Sequence, residues 1–299
     1  MTPSARRIGR YLASTYPPWI TLPYACLSYL ALSWALLAAS GGRPAIGPGT
    51  IAGSLTTFFF LLFLRVSDEI KDADSDKRFF PDRLLPSGRI ALVDLRCLWW
   101  IALAALVASV SSLWPPSPWA IALVAYALLM YKYFFAPALI SKNLLLALGS
   151  HNPSMYLLQL CALGFIYPRR TPSGVDFLVC LLFYLPSLLW ELSRKVRAPS
   201  RETEYQTYSS IFGYRLAGLI AFAPAAIIAT LLALLSPRLG LSLWALAAIG
   251  LCLGAYALRI AAFEIDPEKK LPTVGDSAQA WGLAFYAIVV ADMAARARA

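Results

Sequence analysis

The chain carries long runs without a single ionisable side chain, and these runs decide which solvent its fold must suit. Tyr11 to Gly42, Pro44 to Leu64, Leu216 to Pro237 and Leu239 to Leu258 contain no Asp, Glu, Lys, Arg or His. The hydrocarbon core of a bilayer takes about 20 helical residues, so each run is long enough to cross it. Cys97 to Tyr131 is also uncharged, but Trp114-Pro115-Pro116-Ser117-Pro118-Trp119 in its middle is turn chemistry between interfacial tryptophans, which makes two spans. Asn143 to Pro168 is a fifth span interrupted only by His151, Gly174 to Trp190 a sixth, and Ser277 to Ala291 a short last one. The expectation is an all-α polytopic membrane bundle of about nine transmembrane helices. With 59% hydrophobic and 14% charged residues, the composition agrees with lipid as the solvent.

Orientation follows from where Lys and Arg fall. With the N-terminus cytoplasmic, the outer segments hold only Arg43, Arg169, Arg170, Arg238, Arg296 and Arg298 of the 26 basic residues. This distribution predicts a cytoplasmic N-terminus and an outer C-terminus, and it makes the net charge of +10 mostly a matter of topology. Nucleic acid is not expected as a partner, because the basic residues are dealt out at membrane boundaries rather than gathered on a soluble face. Cys26, Cys97, Cys161, Cys180 and Cys252 have no metal-binding spacing and read as small apolar packers. Arg6-Arg7-Ile8-Gly9-Arg10 before an apolar run has the look of a signal peptide, but that run reads as the first span. No segment is large enough for a separate soluble domain, so residues 1–299 are expected to form one integral-membrane domain.

Chemistry is therefore sought in two inner loops, about 65–96 and about 191–215, which hold most of the acids. Their spacing hints at two similar halves facing a common cavity. In the first, Asp68, Asp72 and Asp76 recur at intervals of four, so a helix continuing from the second span places them on one face, with Glu69 close by. Such an all-oxygen set suits Mg²⁺, which usually takes one or two carboxylates plus waters and substrate phosphates. The alternative is a solvated helix end beside Lys71, Lys77 and Arg78. At the mouth of a membrane bundle, where acids cost more, the metal reading is preferred.

The run Asp68-Glu69-Ile70-Lys71-Asp72-Ala73-Asp74-Ser75-Asp76 at the end of the second span, followed by Pro81-Asp82-Arg83-Leu84-Leu85-Pro86-Ser87-Gly88-Arg89-Ile90, resembles the N-D-x-x-D-x-x-x-D motif and trailing turn of the UbiA superfamily of intramembrane prenyltransferases, with Asp for Asn and Glu for the first Asp. The nine-helix pattern extends the resemblance over essentially the whole chain. It implies Mg²⁺ holding a prenyl diphosphate whose allylic cation alkylates an acceptor within the membrane. On that reading Asp68, Glu69, Asp72 and Asp76 are metal ligands, and Arg83 and Arg89 are diphosphate contacts. Anchoring at the inner membrane surface is the rival role for each Arg.

The second loop departs from the family pattern. Where a D-x-x-x-D run is usual, this chain has Glu191-Leu192-Ser193-Arg194-Lys195. Glu191 remains a metal candidate, whereas Lys195 cannot be one. Either Glu202 or Glu204 folds back as a ligand, or Arg194, Lys195 and Arg197 bind the diphosphate directly, and the second is preferred. Tyr131-Lys132-Tyr133 and Lys142 occupy a further inner loop where family members carry a Tyr and a Lys near the diphosphate, with snorkelling of Lys142 as the rival. His151 and Asn152, ahead of Pro153 inside the fifth span, are candidates for lining the acceptor site, where the imidazole orients an acceptor hydroxyl or takes its proton.

The leading expectation is thus an atypical Mg²⁺-dependent prenyltransferase with prenyl diphosphate, an acceptor and membrane lipid as partners. Two alternatives stand beside it. One is a UbiA-type terpene cyclase acting on farnesyl or geranylgeranyl diphosphate without an acceptor, and the other is a cation-coupled membrane transporter.

Overall fold

A computed structural model describes residues 2–112, 117–140, 143–168, 170–270 and 272–298. The described residues form helices and connecting turns, with no strand among them. In chain order these are α1 (Ala5–Thr15), α2 (Pro18–Ala39), α3 (Pro48–Lys71), α4 (Ala73–Phe79), α5 (Leu92–Val110), α6 (Pro118–Tyr131), α7 (Pro137–Ile140), α8 (Leu144–His151), α9 (Pro153–Ile166), α10 (Gly174–Ser193), α11 (Tyr208–Phe212), α12 (Tyr214–Leu239), α13 (Leu243–Ile265) and α14 (Val274–Arg298). In lipid an open strand edge has no water to satisfy it, so apolar runs of this length fold as helices.

Seven helices are long and apolar enough to cross a membrane: α2, α3, α5, α10, α12, α13 and most of α14. The expected fourth and fifth spans are shorter. α6 has 14 residues, and the fifth is a jointed rod of α8 and α9 broken at Asn152 and Pro153. The expected first span is corrected at its start, because Tyr16-Pro17-Pro18 divides it. Pro17 is extended (φ −62°, ψ 114°) and Pro18 sits at a helix start, where its missing N–H costs nothing. α1 is consequently a separate amphipathic helix with Tyr11 fully buried. Arg7 and the Ser4 N–H tie it to Asp94 at the start of α5, with Arg7 Nε donating at 2.5 Å and the Ser4 N–H at 2.8 Å.

The last span is also longer than expected. It runs through Asp292, whose buried carboxylate is held by Ser242 and by Arg296 one turn on. Pairing removes most of the penalty that an isolated acid there would carry. All five cysteines are free, but only Cys161 and Cys180 are buried as packers; Cys97 and Cys252 are half-buried and Cys26 is exposed. The Trp114–Pro116 part of the expected turn lies outside the described residues.

α2 and α10 occupy the middle of the bundle, each packed against α9, α12 and α14, while α13 lies on the edge against α12 and α14. Close approach of α2 to α3 depends on Gly53, where an added Cβ would stand 1.9 Å from the Tyr29 ring. The C-terminal ends of α3 and α10 emerge on the same end of the bundle, together with the loop after α6, and this end carries the candidate site.

Candidate active site

The first acidic loop starts as the spacing predicts and then bends. α3 stops at Lys71, Asp72 adopts φ −90° and ψ 7°, and α4 resumes at Ala73. The i−4 hydrogen bonds survive the bend, with Asp72 N–H to Asp68 O and Asp76 N–H to Asp72 O both at 2.8 Å. The expectation of one straight acidic face is therefore corrected. Stacked carboxylates repel one another, and the bend delivers them to different partners.

Asp76 is buried and receives Arg83 Nη1 on both oxygens at 2.7 and 2.8 Å, while the guanidinium lies 4.0 Å from the centre of the Phe80 ring. Glu69 is also buried and pairs with Arg65 one turn back. Asp68 and Asp72 remain at the mouth. Asp68 is half-exposed, with Lys71 Nζ at 3.1 Å. Among the described residues, the Asp72 carboxylate receives only the Tyr133 hydroxyl, at 3.3 Å. Burial pushes its carboxyl up to about 6, the charge on Asp68 adds to this, and Lys71 and Tyr133 oppose it.

Lys71 is the residue that sequence reasoning passed over as part of a solvated helix end. Its side chain is 6% exposed and stands between Asp68, the face of Tyr133 at 4.7 Å and His151 Nε2 at 3.2 Å. An ammonium has only donors, so Nε2 must accept. The imidazole proton is then on Nδ1, which donates to Ala147 O at 2.8 Å. Tyr133 reaches Asp72 from a segment in which Tyr133, Phe134 and Phe135 all have left-handed backbones, with φ of 49°, 50° and 59°. Non-glycine residues in such conformations cost of order 1 kcal/mol or more each. The signals for this loop in the sequence were its aromatic run and the family's Tyr there, neither of which names Asp72 as the partner.

The second loop folds over the same mouth. Arg194 grips Glu191 at 2.5 and 2.8 Å, and Lys195 Nζ lies 3.5 Å from the same carboxylate. Lys195 is largely buried and its ammonium is held below the usual lysine range by burial, against the pull of Glu191. The two loops are in electrostatic reach of each other, Arg194 with Asp68 and Lys195 with Asp72. They are joined by Arg78 to Glu204 at 2.5 Å and by Phe79 and Phe80 packed edge-on against Tyr205.

The remaining candidates have local partners. Arg89 closes its own turn onto Ser87 and Asp82 O. Arg197 stands over the Tyr205 ring and reaches Thr203 at 3.4 Å. Glu202 accepts from the hydroxyl of Thr207, the residue that caps α11, at 2.8 Å rather than turning to the mouth. Asn152 accepts from Tyr184 at 3.3 Å and lines an open apolar cleft of about 400 Å³ with Leu148, Tyr156, Leu181 and Leu188. Lys142 lies outside the described residues.

Among the described residues no three His, Cys, Asp or Glu side chains converge into a ready-made metal cage. The donor chemistry nonetheless fits Mg²⁺, which keeps waters and phosphate oxygens in its shell and needs one or two carboxylates. Asp68 and Asp72 supply those two, and among the described residues Asp72 has no cationic partner of its own within hydrogen-bond distance.

No family model matches the chain, and no curated protein matches it in sequence. Solved structures do match. A UbiA homolog from Aeropyrum pernix K1, in its apo form, superposes with a TM-score of 0.64 at 16% identity, covering 92% of this chain and 98% of that one. A structure described as digeranylgeranylglyceryl phosphate synthase gives 0.59 at 15% identity, over 96% and 99%. The expected all-α, UbiA-like architecture is thereby borne out over nearly the whole chain.

Proposed function

We propose that the protein transfers an isoprenyl group from a prenyl diphosphate to an acceptor within the membrane, in a Mg²⁺-dependent reaction at the cytoplasmic end of a single integral-membrane domain. The observation that carries this reading is the meeting of Asp68 and Asp72 from one loop with Arg194 and Lys195 from the other, at the mouth of an apolar bundle with the UbiA fold.

Asp68 and Asp72 would hold Mg²⁺, with Glu191 as the carboxylate of the second loop. The ion would neutralise diphosphate oxygens and stabilise the leaving group. Arg194 and Lys195 exchange their present partner, Glu191, for diphosphate oxygens, a charge-assisted contact that strengthens as the C–O bond breaks. Tyr133 holds Asp72 in place. The apolar helices keep water from the allylic cation. His151, at the joint of the α8–α9 rod with its Nε2 on Lys71, and Asn152 next to it orient the acceptor. Arg83 and Arg89 fix the shape of the first loop.

The test uses purified protein with farnesyl or geranylgeranyl diphosphate. Diphosphate release should require Mg²⁺ and fall at least a hundredfold in Asp72→Ala, on the scale of about 2.7 kcal/mol or more of transition-state stabilisation. Undiminished release in that variant overturns the assignment. Terpene hydrocarbon or alcohol formed without an added acceptor would instead identify a cyclase, and metal-driven transport without release a transporter.

A further inference from the structure

On the α12–α13 side of the bundle, one acid has a buried oxygen without a donor among the described residues. Glu264 lies on the last turn of α13, and its Oε1 is buried without a hydrogen bond among the described residues. That oxygen packs against Gly218 of α12, where an added Cβ would stand 2.2 Å from it. The residue as a whole is half-buried and lines an apolar cleft of about 470 Å³ between α12 and α13, beside Leu219, Phe222, Ala257, Ile260 and Ile265. Leu219, Ile265 and the neighbouring Leu216 and Leu258 are exposed on this side, so the cleft opens toward lipid.

A carboxylate facing hydrocarbon with no donor costs several kcal/mol and calls for a counter-group. Arg215 at the start of α12 is in electrostatic reach of Glu264, and among the described residues the two form no ion pair. Its Nε instead meets the Tyr214 hydroxyl at 3.2 Å, and its guanidinium stands over the Tyr214 ring. Arg215 precedes the cleft-lining Leu219 by one turn of α12, so one end of the apolar cleft holds a negative group with a positive one beside it. A zwitterionic head group on an acyl chain has that complementarity.

We propose that the α12–α13 cleft is a lipid site selective for phospholipids with a primary-ammonium head. The ammonium donates to Glu264, the phosphate meets Arg215, and one acyl chain runs along Phe222 and Ala257. Gly218 makes room for the carboxylate. A trimethylated head carries the same charge but no N–H donor, so selectivity distinguishes a hydrogen-bonded site from general attraction.

The experiment is native mass spectrometry of the full chain released from detergent. It compares dioleoyl phospholipids whose heads are ethanolamine, choline or glycerol. The ethanolamine lipid should be retained on the order of tenfold more than the choline lipid, the scale of one hydrogen bond to a charged group. The glycerol lipid should be retained less than the ethanolamine lipid, and the preference should vanish in Glu264→Gln and in Gly218→Ala. Equal retention of the ethanolamine and choline lipids by the unsubstituted protein overturns the proposal whatever the variants do. So does an undiminished preference in Glu264→Gln, and so does occupancy of the cleft by a second copy of the chain, seen as a dimer that Glu264→Gln disperses.

Discussion

Removing Arg83 should harm the fold more than removing the acid it binds. Asp76 has a side chain 5% exposed, whereas that of Arg83 is 41% exposed, so the pair lies between the exposed and buried regimes. Exposed pairs are worth about 0–1 kcal/mol and breaking a buried one costs about 3–5. A single nitrogen, Nη1, serves both carboxylate oxygens, so this is less than a two-nitrogen fork. The half-exposed guanidinium also discounts the Coulomb gain. A coupling of about 1.5–2 kcal/mol follows.

The two single variants differ because their orphans differ. Asp76→Ala leaves a guanidinium that still rests on Phe80 and still reaches solvent, at a cost of about 2 kcal/mol. Arg83→Ala strands a buried carboxylate and costs about 3 kcal/mol. Reversible denaturation of the single and double variants by SDS titration in mixed micelles gives both numbers. A coupling under about 0.5 kcal/mol, or an Asp76→Ala variant less stable than Arg83→Ala, would refute the reasoning.

Gly53→Ala should lower stability by about 1–3 kcal/mol in the same titration, because the buried Tyr29 ring must leave its packing against Phe165. Apparent Mg²⁺ affinity should fall by up to about tenfold per pH unit below about 6, since a carboxyl raised to about 6 is protonated there and the ion must displace the proton. Titrations at successive pH values read this directly, and in Asp72→Asn the pH dependence should flatten. Lys195→Gln should raise the KM for prenyl diphosphate about tenfold or more, the scale of a charge-assisted contact, while leaving the fold intact by circular dichroism. An unchanged KM would remove Lys195 from the diphosphate site.

Long charge-free runs made the bundle legible, because nothing soluble tolerates so many of them. Errors came where a local rule was overridden. Pro17-Pro18 divides an uncharged run that length alone assigns to one span. Asp292 reads as the end of a helix until Ser242 and Arg296 are found around it. In the site, the spacing of Asp68, Asp72 and Asp76 marked the right loop, but periodicity could not show that Asp76 belongs to Arg83 and Glu69 to Arg65. The partners of Lys71 and Tyr133 lie 80 and 61 residues away in sequence, which no local pattern encodes.

The ends of α3 and α10 at the mouth have one more consequence. Peptide dipoles sum to roughly half a negative charge at the C-terminus of a helix, and two long helices finish here beside Asp68, Asp72 and Glu191. The mouth is therefore biased against anions before any substrate arrives, and Lys71, Arg194 and Lys195 already engage acids there. A bare diphosphate meets repulsion, whereas one that arrives with its counter-ions does not. Substrate and metal should accordingly bind as a neutralised pair, with each raising the affinity for the other.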